Sequence, residues 1–244
     1  MKKGLNGYQL KLAMAVWMVF DHLPHVPGLV SPELTAVLHA LTRCVSAWFA
    51  FAAVEGFLHT HSRVRYNLRL FFWAGIMALG NSLVNYLGQE KGVYVSNNIF
   101  LTLALGLLVL NLICCKWPLA VRWLLAIPLL LAGILLTEGG FVVLPFMLIT
   151  WFFRNRTKLR DLGYLLLGGL LLTQALPSLW MYGSVKDGLN MFLFNSDWMF
   201  ITVIPLIHCY NGQRGRSDGF AKYFFYVFYP AHLWLLAAIS WWVS

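Results

Sequence analysis

Five ionisable side chains stand inside long apolar stretches of this sequence: Asp21, His22, Arg43, Glu55 and His232. Charge within a hydrocarbon layer is costly, so such residues mark candidate functional positions. Their types suggest a chemistry. A neutral imidazole accepts a proton near pH 7, a neighbouring carboxylate orients it or stabilises the imidazolium, and a guanidinium steadies developing negative charge. Bland readings stand beside the functional ones. Asp21 and His22, just before Pro24, also suit an interfacial pair touching water, and their side chains leave a helix about 100° apart. His22 lies about 23 Å above the inner edge at 1.5 Å per residue. Arg43, near a bilayer midplane, must meet a carboxylate, a carbonyl, water or a ligand. Asp21 is its nearest intramembrane carboxylate in sequence, and His39 lies one turn away. Glu55 and His59 read as an i,i+4 pair at an interface. His232 is either a satisfied core histidine or a second base.

The elements that position these residues follow from composition. Hydrophobic residues make up 60% of the 244 and charged residues only 11%, against about a quarter charged in soluble domains. So little polar surface points to lipid rather than water around the chain. A spanning helix needs about 20 mainly apolar residues. Nine segments are predicted: 7–24, 33–58, 67–88, 98–115, 119–136, 140–153, 162–181, 189–208 and 223–243. The fold class is therefore an all-α polytopic bundle of about nine transmembrane helices, read as one domain over 1–244. The first span is read as retained, because Asp21-His22-Leu23-Pro24 stands where a small-residue cleavage site would be.

Loop charges set the orientation. With the N-terminus in the cytoplasm, Lys2, Lys3, Lys11, Arg63, Arg65, Arg69, Lys116, Arg122, Arg154, Arg156, Lys158, Arg160, Arg214, Arg216 and Lys222 all face inward. Only Lys91 and Lys186 fall outside, and the C-terminus is extracytoplasmic. The net charge of +9 is thus a topology signal, and nucleic acid is not an expected partner. Cys44, Cys114, Cys115 and Cys209 show neither zinc-site nor disulfide spacing, so no metal is expected. The candidates fall on two levels. Asp21, His22, Arg43 and His232 occupy the middle and outer half. Glu55, His59, Arg63, Arg65, Arg69, Arg214, Arg216 and Lys222 lie at the cytoplasmic face. A polar core above a basic mouth suits an anionic cytosolic donor shaped like acetyl coenzyme A.

Several motifs resemble one family in order along nearly the whole chain. Leu10-Lys11 through Asp21-His22 is similar to the opening of TraX proteins. Arg43–Thr60, with its FAF and EGF segments, resembles the next conserved stretch, continued by Arg63, Tyr66 and Arg69. Asn98–Leu103 matches an "NIF.TL" motif, and Tyr210-Asn211-Gly212-Gln213-Arg214-Gly215 with Lys222–Leu233 matches the "YNG.RG…KY.FY.FYP.HL" ending. The chain departs at Ser46-Ala47, where a proline is expected, and at Glu138-Gly139-Gly140, in place of "EYG". The resemblance implies acetyl transfer from acetyl coenzyme A at a bacterial inner membrane, as known for the N-terminus of F-type pilin. It also implies kinship with membrane acyltransferases that carry a histidine at the end of the first helix and an arginine in the next.

The expected roles follow. His22 is the general base, Asp21 its orienting partner, Arg43 the oxyanion or coenzyme ligand and His232 the alternative base. Glu55, His59, Arg63, Arg65, Arg69, Asn98, Thr102, Tyr210, Asn211, Arg214 and Lys222 line the site or meet the coenzyme. The acceptor is a peptide N-terminus, an amino sugar or a small amine or hydroxyl compound, with direct transfer favoured. The competing classes are a small-molecule or proton transporter and a non-enzymatic pilin assembly factor.

Overall fold

A computed structural model describes residues 4–244; Lys2 and Lys3 of the orientation reading lie outside the described residues. The protein is 80% helix. Among the described residues there is no extended strand, only a single bridge between Leu5 and Tyr210. The helices are α1 (Gly7–His22), α2 (Pro32–Thr42), α3 (Cys44–His59), α4 (Arg63–Gly88), α5 (Ile99–Cys114), α6 (Leu119–Leu136), α7 (Gly140–Phe152), α8 (Thr157–Ala175), α9 (Ser178–Met181), α10 (Val185–Phe194), α11 (Val203–Cys209) and α12 (Gly219–Val243).

Local chemistry explains where they start. Asn6 and Gln9 exchange side-chain and backbone bonds of 3.0 Å, a capping box that opens α1. Ser31 caps α2 with Pro32 at its first position. Asn98 caps α5 and Asp218 caps α12.

Each of the nine segments predicted from the sequence holds a helix. Five stretches are long and apolar enough to cross a membrane: Pro32–His59, Arg63–Lys91, Leu119–Leu136, Thr157–Met181 and Gly219–Val243. A sixth qualifies if the bent pair Val185–Phe194 and Asp197–Cys209 forms one span. Helices α1, α5 and α7, of 16, 16 and 13 residues, are shorter than the about 20 residues a straight span needs. The apolar face of α6 is bare, with Leu124, Leu131, Leu135 and Leu136 all exposed. That is a surface for lipid. The protein is a multi-pass membrane protein.

The continuous helix predicted over 189–208 is broken. Its two parts meet at 52°, where Asn195, Ser196 and Asp197 offer side chains that compete with helical backbone bonds. Asn195 donates to the Ser178 hydroxyl at 3.1 Å, and Ser196 is fully buried. The second predicted span is likewise interrupted for one residue, at Arg43 between α2 and α3.

The chain forms two compact units. One comprises Met1–Trp48, Leu83–Val95 and Tyr164–Ser244; the other comprises Phe49–Ser82 and Ser96–Gly163. In the first, α1 packs on α2 and α12, and α10 packs on α2 and α9. In the second, α5, α6 and α7 pack on one another around Leu107, Leu110, Leu144 and Phe146.

Candidate functional site

The ends of α1 and α2, the middle of α12 and the break after α10 meet in the first unit, and there four of the five ionisable residues singled out in the sequence, Asp21, His22, Arg43 and His232, converge. Arg43 Nη2 donates to Asp21 Oδ1 at 2.8 Å. Asp21 also accepts a short bond from the Thr42 hydroxyl. On its other side Arg43 Nη1 reaches Asp197 at 3.4 Å, while Nε donates to the His39 carbonyl at 2.9 Å. One guanidinium thus spans two carboxylates and a helix end. Three of its five N–H groups are used in these bonds, and two remain.

Beside this clamp lies a cluster of imidazoles. The His22 and His232 rings are 5.3 Å apart between centroids, and the His25 ring is 5.2 Å from that of His22. His22 and His232 are both buried. The tautomer of His232 follows from its partner: Nδ1 lies 3.0 Å from the Phe228 carbonyl, and a carbonyl only accepts, so Nδ1 carries the hydrogen. In the neutral ring Nε2 then holds a lone pair. That Nε2 is buried without a hydrogen-bond partner, and so is His22 Nδ1. Buried polar atoms are nearly always paired, and here two unpaired ones lie on neighbouring imidazoles.

Asp21 does not hydrogen-bond His22. Their closest atoms, Asp21 Oδ2 and His22 Nε2, are 3.9 Å apart, too far for a bond. The carboxylate acts on the ring through its charge and is itself held by Arg43 and Thr42. His39 lines the same region, stacked on Phe194 at 5.1 Å and 3.4 Å from Ser196 Oγ.

The other candidates lie in two further places. Tyr210, Asn211 and Arg214 clasp the start of the chain: Leu5 N donates to the Cys209 carbonyl (2.9 Å), Asn211 N to Leu5 (3.0 Å), Gly7 N to Gln213 (2.8 Å) and Tyr8 N to Arg214 (3.0 Å). Tyr210 sets its ring edge against Trp48 at 6.0 Å, and Lys222 lies over Tyr223. The YNGQRG motif therefore has a structural occupation in its backbone.

In the second unit His59 Nδ1 bonds the Glu55 carbonyl at 2.9 Å and stands 4.0 Å from its carboxylate. Arg63 lies over Phe57 and Arg69 over Tyr66, while Arg65 is exposed. Asn98 donates its backbone N–H to Glu138, which also accepts from Asn97 at 2.8 Å. Thr102 donates to the Glu138 carbonyl at 2.8 Å. Asn98 and Thr102 thus join a carboxylate-centred network that ties α5 to the turn before α7.

His25, Thr42 and Asp197 belong to the site and were not read from the sequence. The criterion that selected Asp21, a carboxylate inside an apolar segment, also selects Asp197. Thr42 and His25 carry no comparable signal. Among the described residues, no three or more His, Cys, Asp or Glu are arranged to hold a metal ion.

Comparison with known proteins follows the same chain end to end. The family described as "TraX protein" matches residues 6–240. A curated protein of Dichelobacter nodosus, described as "Probable fimbrial assembly protein FimC, serogroup H1", is 26% identical over 239 residues, covering 96% of this chain and 95% of the relative. No solved structure matches significantly.

Proposed function

We propose, from the premise that this chain belongs to the TraX family, that it is a membrane-embedded acetyltransferase that moves an acetyl group from cytosolic acetyl coenzyme A to an amine or hydroxyl acceptor. A pilin-type N-terminus, an amino sugar and a small amine are the acceptor classes. We place it in a bacterial inner membrane with nine spans and a cytoplasmic N-terminus. A pilin-related role fits the name carried by the Dichelobacter relative.

The observation that carries the reading is the pair of buried His22 and His232 rings, 5.3 Å apart between centroids, in which His22 Nδ1 and His232 Nε2 lack partners. The acceptor nitrogen attacks the thioester carbon. The new C–N bond forms as the C–S bond breaks. The acceptor proton passes to His22 Nδ1 and from there to the coenzyme thiolate, so acetyl coenzyme A and amine become amide and free coenzyme A. The Asp21 carboxylate, 3.9 Å from the far side of the His22 ring, offsets the imidazolium charge. His232 Nε2 offers the second lone pair. In this reading Arg43, with two N–H groups outside its bonds, meets the thioester oxygen as it gains charge.

The experiment is thiol release from acetyl coenzyme A by the purified protein in detergent. The acceptors offered are a peptide with a free N-terminus, glucosamine and ethanolamine. Replacing a general base costs about 10²–10⁴ in rate, so His22→Ala, folded by circular dichroism, is expected to lose that much. Undiminished transfer by His22→Ala sinks the base assignment. A wild-type protein that binds no acetyl coenzyme A, while cells still require it for fimbriae, supports the assembly-factor reading that the relative's name favours.

A further inference from the structure

Three arginines of the second unit gather at one end of α5, and none of them has an ion pair among the described residues. Hydrogen bonds fix their level. Asn111 of α5 donates to Asn67 of α4 at 3.4 Å, and Asn67 donates to the Ala104 carbonyl at 2.7 Å. Arg63 stands one turn before Asn67, and Cys114 and Cys115 stand one turn after Asn111, so Arg63 lies level with the two thiols. Arg122, in the first turn of α6, donates from Nη1 to the Ile113 carbonyl at 2.9 Å. Arg154 follows the end of α7, which packs on α5, and donates to the Trp151 carbonyl at 2.7 Å. The Cys114 thiol feels the charges of all three, Arg63, Arg154 and Arg122.

Two ordinary explanations account for part of this. Arginines at helix C-termini satisfy the last carbonyls, which explains Arg122 on Ile113 and Arg154 on Trp151. Inner loops of membrane proteins are basic in any case. Neither explains three guanidiniums gathered at this end of α5 with no carboxylate among them. The acidic residues of this unit are engaged elsewhere: Glu55 faces His59, Glu138 holds Asn97 and Asn98, and Asp161 pairs with Arg160. Nor do they explain Arg122 Nε, which is buried and has no partner.

We propose that Arg63, Arg122 and Arg154 form a phosphoanion site beside Cys114. A phosphate or diphosphate group supplies several acceptor oxygens at once, and planar guanidinium forks bind it bidentately. The group comes either from a soluble nucleotide-type ligand or from the headgroup of an anionic lipid. The site stands whether or not the protein transfers acetyl groups.

Cys114 is the built-in reporter. The full chain is placed in phosphatidylcholine nanodiscs, and modification of Cys114 by N-ethylmaleimide is followed by peptide mass spectrometry at constant ionic strength. Pyrophosphate and adenosine 3′,5′-bisphosphate are expected to slow it saturably, whereas chloride and acetate are not. Each lost guanidinium removes a charge-assisted interaction, so Arg122→Gln and Arg63→Gln are expected to raise the half-protecting concentration about tenfold or more. Arg63→Lys and Arg154→Lys keep the charge and lose the fork; they serve if a glutamine variant fails to fold, and weaker protection is again expected. If Cys114 is slowed by replacing phosphatidylcholine with phosphatidylglycerol, and soluble anions then add nothing, the ligand is the lipid headgroup. Equal modification rates in every anion and both lipids, with wild type and variants alike, overturn the proposal.

Discussion

Removing Arg43 is expected to destabilise the protein more than removing either carboxylate it holds. Arg43 faces Asp21 at 2.8 Å and Asp197 at 3.4 Å, so Arg43→Ala leaves two carboxylates without a cation. Deleting one partner of a buried ion pair costs about 3–5 kcal/mol. The Arg43 and Asp21 side chains are 21% and 17% exposed, and water reaching them places the cost near the lower bound, at about 3 kcal/mol. Asp21→Ala leaves Arg43 with Asp197 and the His39 carbonyl, and frees the Thr42 hydroxyl to its two backbone acceptors. A loss of about 2 kcal/mol is expected, one charge-assisted bond's worth. Asp197 is 36% exposed with a long contact, so Asp197→Ala behaves as a surface pair, at about 0–1 kcal/mol. The assay is unfolding of purified protein in mixed micelles by increasing dodecyl sulfate fraction, followed by far-ultraviolet circular dichroism. The order Arg43, Asp21, Asp197 is the test. If Arg43→Ala costs no more than Asp197→Ala, or if Arg43→Ala and Asp21→Ala add without coupling in the double variant, the clamp does not hold these helices together.

Two further outcomes follow from the clasp at the chain's start. Gly215 has φ +75°, and a Cβ there would stand 2.3 Å from the Asn6 side-chain oxygen. Gly212 has φ +81° with open space around it. Gly212→Ala should therefore lose about 1 kcal/mol of stability to backbone strain, and Gly215→Ala about 2–3 kcal/mol, since it also disturbs the Asn6 cap, both read by the same micelle unfolding. Asp218 is held below the usual carboxylate range by its hydrogen bonds from Arg216 and by the Ala221 N–H. A lowered folded value means stability that is present above the unfolded value and lost as pH falls through the folded one. The stability gap between wild type and Asp218→Asn should therefore be open at neutral pH and close on acidification; a gap independent of pH refutes the assignment.

Helix class, membrane residence and the list of costly intramembrane charges were legible from the chain alone, because each depends only on composition over windows of about 20 residues. The sequence also placed Arg43 where it had to find a partner, since an unpaired guanidinium in hydrocarbon is too costly to keep. It did not reveal the breaks. The 189–208 run is apolar enough to read as one helix, and only packing against α9 and α2 shows Asn195–Asp197 leaving helical geometry and delivering Asp197 to Arg43. Nor did it separate motif from chemistry. In YNGQRG the backbone atoms hold Leu5, Gly7 and Tyr8, and backbone partners carry no residue signature. His22 and His232 are 210 positions apart, so their rings come within 5.3 Å only through the packing of α1 on α12. Residue types set which charges had to be sheltered; the long-range contacts chose which of them would meet.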